Sequence, residues 1–490
     1  MYSKIKSAVV VGLKGSVIEI ETQISRGMPY HVIVGLPSQV IRESKDRVKS
    51  ALKESGIRFP DDRITQNMFP AHIKKEGAHL DLPIAMGIMC CMMEPHVDLK
   101  EIGFIGELSL EGRIRPVTGV LSLIEGFVED GIHQIVMPIQ NLHEVSGMKN
   151  IEVFAYDDLN ALLKAVEYGQ MEALSVEDAI VDQPVLHKMD FNEVIGQNQA
   201  IRAIEISAVG NHNLLLVGPP GCGKTMIAER LRTVLPPLSN EKHLESAKVY
   251  SLLGERATAH ERPFHAPHHS ITRASMIGGT NALIPGIVTR AHNGVLFLDE
   301  ILEFKNEVLQ SLREPISNKS VLLTRNHQSV EFPCDFQLIA TMNPCPCGNH
   351  MAKDLDCTCN DFEIKRYLNK LSGAILDRFD MLVFMDRVEL RDVTEKNRSY
   401  NSNLISERIS KALEFKRHLE TQGTEVEMDG ETNANLMRYY NSGKLSMRGH
   451  SKLFEIARSI ALLEGMETIN RKCLSEAIAY QGFHRLKHNL

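Results

Sequence analysis

The eight residues Gly218-Pro-Pro-Gly-Cys-Gly-Lys224-Thr225 constrain the fold of this 490-residue chain more than any other stretch. An apolar run, Asn213–Val217, precedes them, and a helical pattern starts at Lys224. Glycines at this spacing let consecutive backbone N–H groups turn inward onto phosphate oxygens, and the following helix adds the positive end of its dipole. Gly218, Pro219, Pro220, Gly221, Cys222 and Gly223 are expected to form the cradle. Lys224 is expected to reach the β- and γ-phosphates, and Thr225 to ligate Mg²⁺. The expected cofactors are therefore ATP and Mg²⁺. A strand–loop–helix of this kind requires a parallel sheet covered on both faces, so the fold class is α/β.

A second apolar run, Val295-Leu-Phe-Leu298, ends in Asp299-Glu300. Alone it could be a strand followed by a helix cap. At its distance from the Gly-rich loop it reads as a strand delivering two carboxylates to the sheet edge where ligands bind in open α/β folds. Asp299 is expected to hold the Mg²⁺ shell, and Glu300 to orient and deprotonate the attacking water. Asn343 closes the next apolar run, Gln337–Thr341, and is expected to polarise the same water; a turn residue before Pro344 is the plainer alternative. Arg378, in Leu376-Asp-Arg-Phe-Asp380, and Arg448, in Ser446-Met-Arg-Gly449, are candidates to meet a γ-phosphate, Arg378 that of a neighbouring subunit. A surface ion pair is the competing reading for each.

Around this centre the chain divides into four expected parts. Residues 1–167 are mixed α/β, with strands at Ala8–Val11, Ser16–Thr22 and Val32–Val34, a helix over Ser38–Ser55 and a hairpin over Ile102–Pro116. Residues 168–190 are polar and acidic and read as a linker, 191–388 as the nucleotide-binding core, and 389–490 as helical to the end. The longest apolar stretch, Leu82–Met93, has the length of a buried helix and falls short of a membrane span. Met1–Glu21 alternates like a strand and lacks the layout of a signal peptide. These features predict a cytoplasmic protein with no membrane partner. The net charge of −7 means that any nucleic-acid contact must come from a local basic surface.

Four of the nine cysteines fall in Cys345-Pro-Cys347 and Cys357-Thr-Cys359. Four thiolates suffice to close a tetrahedral structural Zn²⁺ site. The C-x-C gap is tighter than usual, His350 is an alternative ligand, and reduced cysteines or a redox pair remain open readings. Val321-Leu-Leu-Thr-Arg325, a polar tip and Ser329-Val-Glu-Phe332 read as a hairpin.

The core motifs resemble the magnesium-chelatase-like branch of the AAA+ ATPases. The supporting segments are Val194-Ile-Gly-Gln197, Arg262-Pro-Phe-His-Ala-Pro-His-His269, Ala291-His-Asn-Gly294 running into Glu300, and Met342-Asn-Pro-Cys-Pro-Cys-Gly348. The resemblance implies that Ile195 and Gly196 flank the adenine and that residues 389–490 form a helical lid. It also implies that the hairpin faces a central pore, where Arg325 and His327 track DNA phosphates, with Arg273 in a second pore-facing insert. Lys75-Glu-Gly-Ala-His-Leu-Asp-Leu-Pro83 and Gly106–Pro116 resemble the Lon-protease fold, also described as ribosomal-S5-domain-2-like, an α+β domain. The positions that carry the serine–lysine dyad in active Lon enzymes correspond to His79 and Leu121, so this module is expected to be proteolytically inactive.

A Lon-like domain ahead of a chelatase-like core is the arrangement of the bacterial YifB/ComM family. That resemblance implies a homo-oligomeric ring, a hexamer, which drives helicase action and branch migration on single-stranded or branched DNA in natural transformation. The alternative is a chelatase-like motor that remodels a protein partner. An ATP-dependent protease is disfavoured by His79 and Leu121, and a passive nucleotide-binding scaffold by the intact Lys224, Asp299 and Glu300.

Overall fold

Ile18, Ile20, Thr22 and Ile24 are buried at every second position of the strand Lys14–Ser25, as are Ile64, Gln66 and Met68 in the strand Arg63–Phe69. This period of two puts one set of side chains on one face of a sheet. The two strands pair antiparallel with Ile20 opposite Met68, Thr22 opposite Gln66 and Ile24 opposite Ile64. The buried polar pair is satisfied: the Gln66 amide donates to Thr22 Oγ1 at 3.0 Å and to the Ile84 carbonyl at 3.0 Å.

The computed structural model describes residues 1–93, 95–174, 189–258, 260–279, 283–325, 328–350, 356–388, 400–441 and 447–481. The chain forms two units, Met1–Gln183 with Leu244–Ala259, and Pro184–His243 with His260–Leu490. In the first, seven strands lie in the order Tyr30–Val34, Arg63–Phe69, Lys14–Ser25, Tyr2–Val11, Ile102–Phe104, Gln134–Pro138 and Glu152–Tyr156. The sheet is mixed, antiparallel around Lys14–Ser25 and parallel from Tyr2–Val11 through Glu152–Tyr156. Consecutive residues of Gln134–Pro138 feed opposite cores, Ile135 and Met137 one and Val136 the other, so both faces are covered. The helix Asp81–Met92 is apolar nearly all round and almost entirely buried. No helix among the described residues is long and apolar enough to cross a membrane.

One sequence expectation changes here. The span Ile102–Pro116 is not a single hairpin. Ile102–Phe104 joins the large sheet, and only Glu107–Leu108 and Ile114–Arg115 pair antiparallel, around Gly112 at φ +84°. The break falls at Gly106, whose N–H and C=O bond to the His79 carbonyl and the Leu82 amide and so leave the ladder. The linker expected at 168–190 lies outside the described residues over 175–188.

The second unit contains a five-stranded sheet in the order Phe264–His265, Val295–Leu298, Gln337–Met342, Leu214–Val217 and Met381–Phe384. Every pairing in it is parallel. The three middle strands are buried at every residue, the pattern of strands covered on both faces. Because all strands run the same way, the residues after Val217, Leu298 and Met342 emerge at one edge. The helices Ser402–Thr421, Gly430–Tyr439, Met447–Leu463 and Arg471–Ala479 make up most of the C-terminal part. Ile405, Ile409, Leu453 and Ile456 share a core with Ile201 and Ile204 of the helix Asn198–Gly210. Arg202 on that helix pairs with Glu464 at 2.7 Å and Glu476 at 2.9 Å.

Candidate nucleotide site and cysteine cluster

The loop between Val217 and Lys224 takes a backbone path that two of its glycines make possible. Gly221 and Gly223 sit in the left-handed region at φ +79° and +94°. A Cβ at either would meet nothing within 4 Å, so conformation and not space requires glycine there. Gly218 is the opposite case: a Cβ would lie 2.4 Å from the Met385 carbonyl oxygen.

Lys224 is buried at 8 % exposure, and its ammonium donates to the carbonyls of Gly218 at 2.8 Å and Pro219 at 2.9 Å and to Asn343 Oδ1 at 3.1 Å. Desolvation lowers its pKa from the ordinary lysine value, opposed by the nearby Cys222, Asp299 and Glu300. Asn343, read from the sequence as a neighbour of the reacting water, is therefore in contact with the lysine of the Gly-rich loop. Thr225 Oγ1 donates to Asp299 at 3.0 and 3.2 Å, which brings together a hydroxyl and a carboxylate as a hard-oxygen donor set suited to Mg²⁺. Glu300 is exposed and held at φ +51°, ψ +54°, beyond the end of the strand.

Two further residues order this centre; the sequence marked no role for Thr341 and named Gln197 only as the end of the Val194–Gln197 segment. Thr341 is fully buried; its hydroxyl donates to Asp299 Oδ1 at 2.6 Å and accepts the Glu300 N–H at 2.9 Å. One side chain on the central strand thus sets both acidic residues of its neighbour. The signal was a threonine in an otherwise apolar stretch, Leu338-Ile-Ala-Thr-Met342. Gln197, at φ +55°, donates from its amide to the Cys222 carbonyl at 3.1 Å and the Asp386 carbonyl at 2.6 Å. It fastens the Ile195-Gly196 segment to the phosphate loop. Arg230 assists, with Nε donating to the Asp190 carbonyl at 2.8 Å and an ion pair to Glu193.

Arg378 sits on the turn leading into the strand Met381–Phe384. Its carbonyl accepts from Asn213 Nδ2 at 2.9 Å. Lys452 clasps the same turn, donating to the carbonyls of Asp377 and Phe379 at 2.7 and 2.6 Å and pairing with Asp380 at 3.1 Å. Arg378 Nε is buried without a hydrogen-bond partner among the described residues. The side chain lines a cleft of about 910 Å³ with Arg273, Arg313 and residues Val321–Thr324 of the hairpin. Arg273 and Arg378, assigned to different tasks on sequence grounds, thus share one cleft. Arg325 ends the first hairpin strand, opposite Gln328, and His327 lies outside the described residues. Arg448 is exposed in the first turn of Met447–Leu463, and no hydrogen bond or ion pair among the described residues ties it to the phosphate loop.

Cys345, Cys347, Cys357 and Cys359 converge, with their Sγ atoms all within 4.8 Å of one another. Among the described residues no other side chain joins the group; His350 contributes its backbone N–H, 3.3 Å from Cys345 Sγ. In the first unit, His79 Nε2 lies 3.0 Å from the Ala8 carbonyl, and desolvation depresses its pKa. Leu121 is buried, and the neighbouring Ser122 hydroxyl is buried without a partner among the described residues.

Comparison with known proteins agrees with this architecture. Residues 190–393 match the family model described as magnesium chelatase, subunit ChlI; residues 20–141 match that of subunit ChlI of Mg-chelatase, and 395–481 that of its C-terminal part. The chain is 35% identical to YifB of Salmonella typhimurium over 98% of this chain and 97% of the relative. It is 34% identical to competence protein ComM of Haemophilus influenzae over 99% and 98%. A shorter similarity, 26% over 40% of this chain and 33% of the relative, links it to the magnesium-chelatase 67 kDa subunit of Heliobacterium mobile. A near-full-length match at this identity, on a parallel-sheet core with a helical C-terminal region, makes the chain a member of the YifB/ComM family of magnesium-chelatase-like AAA+ proteins.

Proposed function

We propose that the chain is an ATP-hydrolysing, ring-forming motor that moves on DNA, acting as a helicase in branch migration of recombination intermediates during natural transformation. The observation that carries the motor reading is the meeting of Lys224 with Asn343 and of Thr225 with Asp299 at one sheet edge. In this reading Gly218–Thr225 holds the triphosphate and Ile195 and Gly196 flank the adenine. Thr225 and Asp299 would hold Mg²⁺, which would supply positive charge to neutralise the phosphates. Glu300 takes the proton of the attacking water, and Asn343 orients that water once the phosphates draw Lys224 away from it.

Arg378 completes the site of a neighbouring copy, which is why activity requires a homo-oligomer, a hexamer in this reading. Arg448 acts from the helical lid. Residues 1–167 serve as an inactive Lon-like docking module, 168–190 as a linker, 191–388 as the motor core and 389–490 as the lid of a cytoplasmic enzyme. The DNA contacts are assigned to Arg325, His327 and Arg273, and the support for DNA as substrate is the similarity to a competence protein.

A second reading, a chelatase-like motor that remodels a protein partner, is favoured by the match to the chelatase model over the core. ATP-dependent unwinding of forked and four-way DNA separates the two. Strand separation or branch migration that stops with Glu300→Gln supports the DNA motor; vigorous ATP turnover with no action on either substrate supports the protein remodeller.

A further inference from the structure

The phosphate loop does not stand alone at the sheet edge. The segment that leaves the central strand after Met342 passes through Asn343, which holds Lys224, and within two residues reaches Cys345. It then turns at Gly348, whose N–H donates to the Cys345 carbonyl at 3.0 Å. Gly348 lies at φ +84°, and a Cβ built there would fall 2.4 Å from Cδ and 2.8 Å from Cγ of Pro220. The cysteine-bearing turn is therefore packed against the tip of the phosphate loop with no room for one more carbon.

The second cysteine pair is equally anchored. Cys359 is followed by Asn360, which caps the helix Asp361–Leu368 in a full capping box: Asn360 Oδ1 accepts the Glu363 N–H, and Glu363 accepts the Asn360 N–H. Two fixed supports, a strand end and a helix start, thus present two Cys-x-Cys pairs to each other.

The sulfur positions fit a shared metal ion. Cys345 Sγ lies 3.4 Å from Cys347 Sγ and 3.7 Å from Cys357 Sγ, and Cys347 Sγ lies 3.6 Å from Cys357 Sγ. A disulfide bond needs about 2.05 Å. Four thiolates about 2.3 Å from one tetrahedral zinc ion sit roughly 3.8 Å apart. Two backbone N–H groups already point at the sulfurs, Cys347 N–H at Cys359 Sγ (3.4 Å) and His350 N–H at Cys345 Sγ (3.3 Å). Such donors favour thiolate over thiol and orient the ligands of a metal site.

We propose that Cys345, Cys347, Cys357 and Cys359 bind one zinc ion, and that this ion holds the Gly348 turn against Pro220 and Asn343 against Lys224, so that nucleotide binding depends on the metal. On loading, each sulfur that starts as a thiol releases its proton to solvent. With the ion gone, Asn343 would be held from the strand side alone, and the Gly348 turn that braces the loop tip would lose its tie to the helix Asp361–Leu368. The dependence on nucleotide rests on the reading of Gly218–Thr225 as a phosphate loop; metal binding does not.

The test uses the full-length chain. Zinc content of the purified protein is measured by elemental analysis, and Co²⁺ is titrated into metal-stripped protein while the absorption bands of tetrahedral cobalt thiolate are followed. About one metal per chain is expected. Cys357→Ser with Cys359→Ser should weaken cobalt binding by at least the 10–100-fold that even outer-shell changes produce. Binding of a fluorescent ATP analogue with excess Mg²⁺ is then compared between zinc-loaded and stripped protein. Stripping should weaken it at least about fivefold, and zinc should restore it.

Gly348→Ala keeps all four thiols. It should retain metal and yet lose nucleotide affinity, which separates loop bracing from general unfolding. Substoichiometric metal with no cobalt thiolate band overturns the site. Full metal loading with nucleotide affinity within about twofold in both the stripped protein and Gly348→Ala overturns the coupling. Full metal loading with no nucleotide binding by the intact protein overturns the phosphate-loop reading and the coupling with it, while the metal site stands.

Discussion

Replacing Thr341 with Val tests the ordering of the acidic pair without opening a cavity, because the two side chains are nearly the same size. Thr341 is fully buried and makes two polar contacts, a 2.6 Å donation to the Asp299 carboxylate and a 2.9 Å acceptance from the Glu300 N–H. A hydrogen bond to a charged group contributes about 1.5–3 kcal/mol and an ordinary one about 1 kcal/mol. The valine should therefore destabilise the second unit by about 2.5–4 kcal/mol. It should also let Asp299 and the Glu300 backbone drift, and misplacement of a reacting group by about 1 Å can cost on the order of 100-fold in rate. Urea denaturation gives the first quantity and steady-state phosphate release the second. Thr341→Ser, which keeps the hydroxyl, should recover most of the rate. A valine variant within about 0.5 kcal/mol and twofold of the parent would refute the claim that Thr341 sets the pair.

Glu300→Gln should keep nucleotide affinity and reduce turnover at least about 100-fold, so that bound ATP survives gel filtration; rapid loss of ATP as ADP would remove Glu300 from its role. Arg378→Ala should leave ATP binding intact and lower turnover by about 1,000-fold or more, and mixing with Lys224→Ala subunits should rescue part of it if the arginine acts across an interface. Absence of rescue, with both proteins assembled, points to action within one chain. His212 is buried, with Nε2 2.8 Å from Ser459 Oγ, and desolvation lowers its pKa from 6.5 to about 4, with Asp380 opposing and Lys452 assisting. The unfolded chain therefore binds the proton first. The stabilisation is present in full above pH 6.5 and is lost as pH falls toward 4, by roughly 3 kcal/mol at most. Denaturation midpoints of His212→Gln should fall less steeply over that window than those of the parent; identical slopes would count against a buried neutral imidazole.

The Gly-rich loop and the Asp299-Glu300 strand end were legible in the sequence because their chemistry is local. A strand, three glycines and a lysine within about a dozen residues form a pattern that points to a phosphate cradle when a helix follows, as one does here. The apolar strands were legible for the same reason, since a parallel sheet buried on both faces leaves few polar positions, here Gln337 and Thr341 on the central strand. Contacts between distant segments were not legible. Nothing near Thr341 announces that it touches both members of a pair about forty residues earlier. Nothing in the spacing of Arg273 and Arg378 says that they line one cleft. The break at Gly106 was hidden because its cause, hydrogen bonding to His79 and Leu82, lies outside the strand pattern. The cysteines fall between these cases: their number and pairing were visible, but the Gly348–Pro220 packing that ties them to the loop was not.

The most direct measurement of the central claim is calorimetric titration of the intact protein with a non-hydrolysable ATP analogue and Mg²⁺, beside Lys224→Ala. The prediction is saturable binding by the parent at about one nucleotide per chain, weakened at least about tenfold in the variant, which has lost the ammonium proposed to face the phosphates. Failure of the parent to bind, or equal binding by Lys224→Ala, would contradict the assignment of Gly218–Thr225 as the nucleotide cradle.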